Sequence, residues 1–451
     1  MGNAAVTPAV AKGDAAGGAV PMVGAIPTVG AVPAVGTARF ALLATPLIGA
    51  TFLSKFAFPP FGALGIGIPV FLVLAALMLG SVTGCFKIEP RRLTLYFLMI
   101  GFLGLMQILQ PSGFSPTSLL LLVAVHLPYV VTVPQGNDGE RIIKFFIQIA
   151  TVFALCGIAQ FGLQSVVDVH YLFPIENFVP DTFIVQNFNH QAVMEYGSHE
   201  YRANGVFLLE PSFFSQLLAV AIVAELCTLA RATRLAIFGL ALLVSYSGTG
   251  IIVLAVCLPL AIIAQRRWGL LLVGLFALVL LIPLQEYLHA DRLLSRVGEF
   301  GAIRSSGYGR FVGGFYLFDR FLWLDPWRTL FGYGAGSFIS HATYASHDGA
   351  SEMALFKMVF EFGLLGAAAY FGFLFACLLY SPAPRLLRLA VGITYLLSGI
   401  YIPFAHGLAL SLLLWNSPNA LGRRSEWLNR WNRTWPIGNS PPTMLVPKVG
   451  S

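Results

Sequence analysis

Charge is what this chain has least of: 10% of its 451 residues are Asp, Glu, Lys or Arg, while 57% are hydrophobic. That scarcity excludes an ordinary soluble domain, in which about a quarter of residues are charged. Cysteine is scarce too, and Cys85, Cys156, Cys227, Cys257 and Cys377 all lie in or beside apolar runs. With no C-x-x-C pair, a disulfide framework and a cysteine metal knuckle are excluded, and no metal site is expected. The glycine-rich run G-Y-G-A-G-S at 332–337 has neither a Walker lysine nor G-x-G-x-x-G spacing. No uninterrupted apolar core of the signal-peptide kind opens the chain. Instead, residues 18–35 repeat G-A-V-P-M-V, G-A-I-P-T-V and G-A-V-P-A-V, and such regular Pro and Gly forbid a continuous helix. Residues 1–38 read as a disordered cytoplasmic leader, with the first span as insertion signal.

What is present is a series of apolar runs, each of about 17 to 25 residues and so able to cross a ~30 Å hydrocarbon core. Roughly twelve recur, near 40–57, 62–84, 93–110, 116–134, 142–164, 211–230, 233–247, 249–264, 268–284, 353–380, 387–402 and 404–416. Pro403 and His406 sit where the last two meet, so one broken helix describes them as well as two spans. The fold class expected is an all-α polytopic membrane protein, with a membrane domain at 39–417 and a basic cytoplasmic tail at 418–451.

Basic residues fall in every second short loop: Lys87, Arg91 and Arg92, then Arg141 and Lys144, Arg231 and Arg234, Arg266 and Arg267, Arg385 and Arg388. The tail adds Arg423, Arg424, Arg430 and Arg433. Short loops rich in Lys and Arg stay cytoplasmic, which puts both termini inside and two long loops, 165–210 and 285–352, outside. The formal charge of +7 is then topology signal and anionic-lipid contact, with no nucleic-acid partner implied.

Those two loops hold six of the eight histidines. Polar groups are costly in hydrocarbon, so chemistry gathered between spans points to one membrane face. In the first loop Asp168, Glu176, Asp181, Glu195, Glu200 and Glu210 face a single arginine, Arg202, which is either a clamp or a hook for an anion. Glu210, Pro211 and Ser212 also fit an ordinary helix start. The second loop contains Arg292, Arg296, Arg304, Arg310, Arg320 and Arg328 but no lysine. Guanidinium grips phosphate through a planar two-pronged contact; alternatively, several of these arginines pair with neighbouring acids only to hold the loop. Trp323, Trp327, Tyr308, Tyr316 and Tyr333 suit sugar stacking or interfacial anchoring. His347, beside Asp348, has the chemistry of a general base.

In order along the chain, R-x-x-G-x-F-x-x-E-P-S (Arg202 to Ser212), S-Y-S-G-T-G (Ser245 to Gly250), G-Y-G-A-G-S and E-x-G-L-L-G (Glu361 to Gly366) together resemble the O-antigen ligase and polymerase superfamily, the Wzy-type polymerases and their ligase relatives. Arg296 and Gly307, with ten residues between them, match a spacing of some polymerase outer loops. The resemblance implies a GT-C-like, metal-independent glycosyltransferase without cofactor in the bacterial inner membrane. Its substrates would be undecaprenyl-diphosphate-linked oligosaccharides, joined at the periplasmic face, with a flippase and a chain-length regulator of the same pathway as partners. By that resemblance Arg202, Arg296, Arg304 and Arg310 would hold the diphosphate. The base would be His347, with Glu352 and Glu210 as rivals; a histidine of the relatives lies eleven residues before the first glycine of G-L-L-G, a position occupied here by Glu352. A ligase transferring polymer to lipid A core is the nearest alternative, and a secondary transporter is the alternative of another class.

Overall fold

A computed structural model describes residues 32–61, 65–110, 113–133, 138–194, 200–265, 301, 305–345 and 353–415. The repeats before residue 32, the span expected at 268–284, Arg296, Arg304, His347, Glu352 and the tail from 416 lie outside the described residues. The chain divides into two units, 1–38 and 39–451, and the contacts below belong to the second.

The chain is mostly helical. In order come α1 (Val32–Phe52), α2 (Ile68–Val82), α3 (Pro90–Ile108), α4 (Pro116–His126) and α5 (Asp138–Gly162). The short α6 (Val169–Leu172) and α7 (Pro174–Phe178) precede α8 (Pro211–Leu226), α9 (Ala232–Val244) and α10 (Gly248–Gln265). Four more short helices follow: α11 (Ser306–Phe311), α12 (Gly313–Leu317), α13 (Pro326–Phe331) and α14 (Ser337–Tyr344). Last come α15 (Ala354–Leu379), α16 (Arg385–Leu397) and α17 (Pro403–Leu408), which runs on in π-helical turns to Leu414. Among the described residues, α3, α5 with its extension to Ser165, and α15 are long and apolar enough to cross a membrane. Helices α2, α4, α8, α9, α10 and α17 are apolar but shorter.

Helix ends explain the shortfall against the expected runs. Proline in the first turn sets the start of α2, α3, α4, α8 and α17, because its missing N–H has no helical partner there. Helix α1 begins inside the stretch expected to be leader. Between α16 and α17 the chain is extended at Ser398, whose carbonyl accepts the Ala354 N–H at 2.9 Å, and Gly399 bridges Met353. As far as residue 415 the region from 387 is therefore two helices and not one broken helix.

Helix α8 is buried at every position from Pro211 to Leu226, as expected of a helix apolar on all sides. It packs against α5, α9, α10 and α16. Small residues permit the approach: a Cβ on Gly250 of α10 would strike the Ser215 carbonyl, and one on Gly157 of α5 would strike the Phe214 ring.

The connections sort to two ends. At one, β1 (Lys87–Ile88) pairs antiparallel with β2 (Val131–Thr132), Val133 N–H reaches the Trp415 carbonyl at 3.1 Å, and Arg92 donates to the Leu414 carbonyl at 2.8 Å. At the other, Phe56 bridges Ile184, Ser115 N–H reaches the Ala335 carbonyl at 2.8 Å, and the Tyr401 hydroxyl donates to the Ser118 carbonyl at 3.0 Å. This second end also carries Glu210 and Arg310.

Candidate functional site

Glu210 occupies the position just before α8, yet its side chain makes no capping bond to that helix. Glutamate is not a favoured cap, and the carboxylate is committed elsewhere. Oε2 accepts Nη2 of Arg310 at 2.8 Å and the Ser212 hydroxyl at 3.0 Å, and Oε1 accepts the Asn189 N–H at 3.1 Å. The same Nη2 lies 3.1 Å from the Ser212 hydroxyl oxygen. Arg310 stands in the last turn of α11, whose start is capped by the Ser305 hydroxyl. Only Nη2 of its guanidinium has a partner among the described residues, and the Arg310 and Glu210 side chains are each 17% exposed. One edge of the fork is thus fixed by protein while other N–H groups remain for an anion. The ordinary helix start considered above accounts for Pro211 but not for Glu210.

A hydroxyl cluster lies one turn below. Ser215 and Thr249 hydroxyls are 3.0 Å apart, Ser247 and Thr249 are 3.1 Å apart, and Thr249 donates to the Ser212 carbonyl at 3.1 Å. E-P-S and S-Y-S-G-T-G therefore meet at one place, although more than thirty residues separate them.

Arg202 is placed differently. Its backbone N–H bonds the Ala192 carbonyl at 2.9 Å and its Nη2 the Met194 carbonyl at 3.0 Å, beside the Val193–Tyr201 bridge. It ties the two sides of this bridge together. The neighbouring Asn204, fully buried, exchanges bonds with Gln160 of α5 and donates to the His190 carbonyl at 2.8 Å.

G-Y-G-A-G-S and E-x-G-L-L-G also meet, and the reason is architectural. Gly363 breaks α15 with φ 68°, in the left-handed region natural to glycine, and a Cβ there would strike the Leu330 and Phe331 backbone. The break frees the carbonyls of Phe360 and Glu361, which accept the Tyr333 and Gly334 N–H groups at 2.9 and 2.8 Å. Ala335 N–H goes to Oε1 of Gln107 at 2.6 Å. Such a break is tolerated in an apolar helix when protein supplies the partners. The glycine run docks into a helix and does not cradle a phosphate with these amides. Burial raises the Tyr333 hydroxyl pKa above its ordinary value, against the opposing pull of Arg328. Tyr333 stacks on Phe360 at 5.1 Å under the Arg328 cation at 4.7 Å, so both are used in packing; Trp323 and Trp327 stay partly exposed.

Three buried constellations were not anticipated. Lys357 and Glu361 pair at 2.9 Å inside α15, contrary to the expectation that charges gather only in loops. Lys55, fully buried, bonds Glu176 and the Val206 carbonyl; burial pulls its ammonium down to about 8, while Glu176 raises it. Deeper lie His126, Tyr129, Tyr370, Tyr395 and His406. His126 donates from Nδ1 to the Leu122 carbonyl at 2.8 Å, and its Nε2 faces the Tyr370 and Tyr395 hydroxyls at 3.0 and 2.9 Å. His406 donates from Nε2 to the Ile400 carbonyl at 2.7 Å and accepts the Tyr129 hydroxyl at 2.8 Å. The available signal was general: polar aromatic side chains in apolar runs must find partners.

Compared with family models, with curated proteins and with solved structures, the chain matches none.

Proposed function

We propose that this chain is a polytopic glycosyltransferase that joins undecaprenyl-diphosphate-linked oligosaccharide units at the periplasmic face of the bacterial inner membrane. The end carrying Glu210 and Arg310 is assigned to the periplasm because Lys87, Arg91 and Arg92 mark the opposite end. The observation that carries the reading is the meeting of E-P-S, S-Y-S-G-T-G and Arg310 around one partly exposed carboxylate–guanidinium pair. Arg310, oriented by Glu210 and Ser212, would neutralise charge that develops on the departing lipid diphosphate. Arg296 and Arg304, on the same loop, would complete that pocket. Arg202 would shape its wall through the bridge it ties. Glu210 already accepts three hydrogen bonds, which suits it to orienting Arg310, and the acceptor hydroxyl's proton goes to His347 or Glu352. Polymerase is favoured over ligase by the sequence resemblance at E-P-S.

The Lys357–Glu361 pair within α15 favours, as a second reading, a secondary transporter, since such proteins keep charge inside their spans. Reconstitution in vesicles with a lipid-linked repeat unit, followed by sizing of the products, separates the readings. A ladder of multiples is expected. Transfer of preformed polymer to a core acceptor without elongation would indicate the ligase, and solute uptake with neither reaction would indicate the transporter.

A further inference from the structure

His190 lies in the same segment as Asn189, the residue whose N–H binds Glu210. Its Nδ1 is 3.0 Å from the Leu209 carbonyl oxygen and its Nε2 is 2.9 Å from the Val185 carbonyl oxygen. Carbonyl oxygens only accept. A neutral imidazole carries one N–H, so it satisfies one of these contacts and turns a lone pair towards the other; the imidazolium donates at both. The other described histidines with both ring nitrogens engaged, His126 and His406, each have a hydroxyl at the second nitrogen, and there a neutral ring suffices. The ring cannot easily swing clear, because the His190 carbonyl is held by Asn204 and Asn204 by Gln160.

We infer that His190 is a positioning residue whose protonated ring staples Val185 to Leu209 and thereby sets the carboxylate of Glu210 against Arg310. Leu209 is the residue before Glu210, and Asn189 the residue before His190, so the staple fixes both backbone approaches to that carboxylate. Other ionisable groups packed around the segment are already paired or clamped. Arg310 is bound to Glu210; Arg202 holds the Met194 carbonyl; Lys55 and Glu176 bind each other, and the Lys55 carbonyl accepts the Val185 N–H at 2.9 Å. Asp181 is exposed, and its carbonyl accepts Gln186. Loss of the imidazole proton removes one anchor, so the staple loosens as pH rises.

Only the consequence for chain elongation rests on the proposed function. Hydrogen exchange of the purified full-length protein in detergent tests the staple by itself, from about pH 5.5 to about pH 8. After correction for the intrinsic pH dependence of exchange, protection of the Asn189 region should fall about tenfold or more across that range, the weight of one hydrogen bond to a charged group. His190→Lys, which keeps its donors throughout, should stay protected at both ends; His190→Phe should be unprotected at both. Flat protection in the wild type, or a His190→Lys profile that falls as steeply as the wild type, overturns the inference. Elongation measured over the same range should decline towards high pH in the wild type and flatten in His190→Lys. Switching exchange without elongation would overturn the proposed function and leave the staple standing; elongation with flat exchange would do the reverse.

Discussion

The molecule contains two polar clusters built on opposite terms. Around His126, every hydroxyl and ring nitrogen of five fully buried or nearly buried side chains has a partner, and the residues come from α4 and the turn after it, α15, α16 and α17. Around Glu210, the carboxylate is satisfied but the guanidinium that holds it is engaged at Nη2 alone among the described residues, and both are partly open to solvent. A closed network ties helices together and has no capacity left for a ligand. An open one gives up some of that stability and keeps donors in reserve. On the proposed function, that difference is the criterion that singles out Glu210, for by burial or the number of ionisable groups the His126 cluster would rank first.

Substitution should separate the two. Arg310→Ala should lower elongation by about 10³-fold, the scale of losing a donor aimed at developing charge, while the unfolding midpoint hardly moves. Arg310→Lys should not restore activity, because an ammonium cannot hold Glu210 and an anion on two edges of one plane. Product sizing, normalised to folded protein, reads this directly. The closed cluster should behave in reverse. His126→Phe keeps an aromatic ring but removes the acceptor at the hydrogen-bonded Tyr370–Tyr395 hydroxyl pair and the donor to Leu122, for a loss of about 2 kcal/mol in stability. Chemical unfolding in detergent measures it, and elongation per folded molecule should be unchanged. A His126→Phe protein that folds normally but does not elongate would erase the contrast.

How much of this was legible in the sequence depends on the range of the interaction. Apolar runs at 93–110, 142–164 and 353–380 foretold α3, α5 and α15 closely, because length and hydropathy are local properties. The shorter helices were overestimated where polar or extended residues finish the turn, as at Ser398 and around Ser245 to Ser247. Glu210 stood out as part of E-P-S and as a rival base, although it also fitted an ordinary helix start. The resemblance picks out Arg310 with Arg202, Arg296 and Arg304 for the diphosphate, but its pairing with Glu210 was not legible, because it spans 100 residues. Gly363 was visible as part of a motif but not as a break in α15, because its φ is imposed by the chain that docks against it. His190 was one histidine among six in the loops; its meaning lies in two carbonyls, and carbonyls leave no trace in a sequence.

The smallest expected effect concerns Lys55 and has the opposite sign to that of His190. Burial brings the Lys55 ammonium down to about 8 from an ordinary 10.5. Between those values the folded protein has released a proton that the unfolded chain retains, so unfolding becomes harder as pH rises. Below that window both states are protonated and the cost of burying the cation is borne in full. Comparison with Lys55→Met/Glu176→Leu, which replaces the pair by apolar groups, cancels the rest of the chain's titration. The wild type should gain on this variant by about 1 kcal/mol per pH unit between about pH 8 and about pH 10, read from chemical unfolding in detergent. If the wild type loses ground instead, attraction to Glu176 outweighs desolvation and the pair is a net anchor at neutral pH. If it gains, deprotonation of Lys55 relieves a desolvation cost above about pH 8, after the staple at His190 has loosened below it, and two regions joined through Val185 respond to one variable in opposite directions.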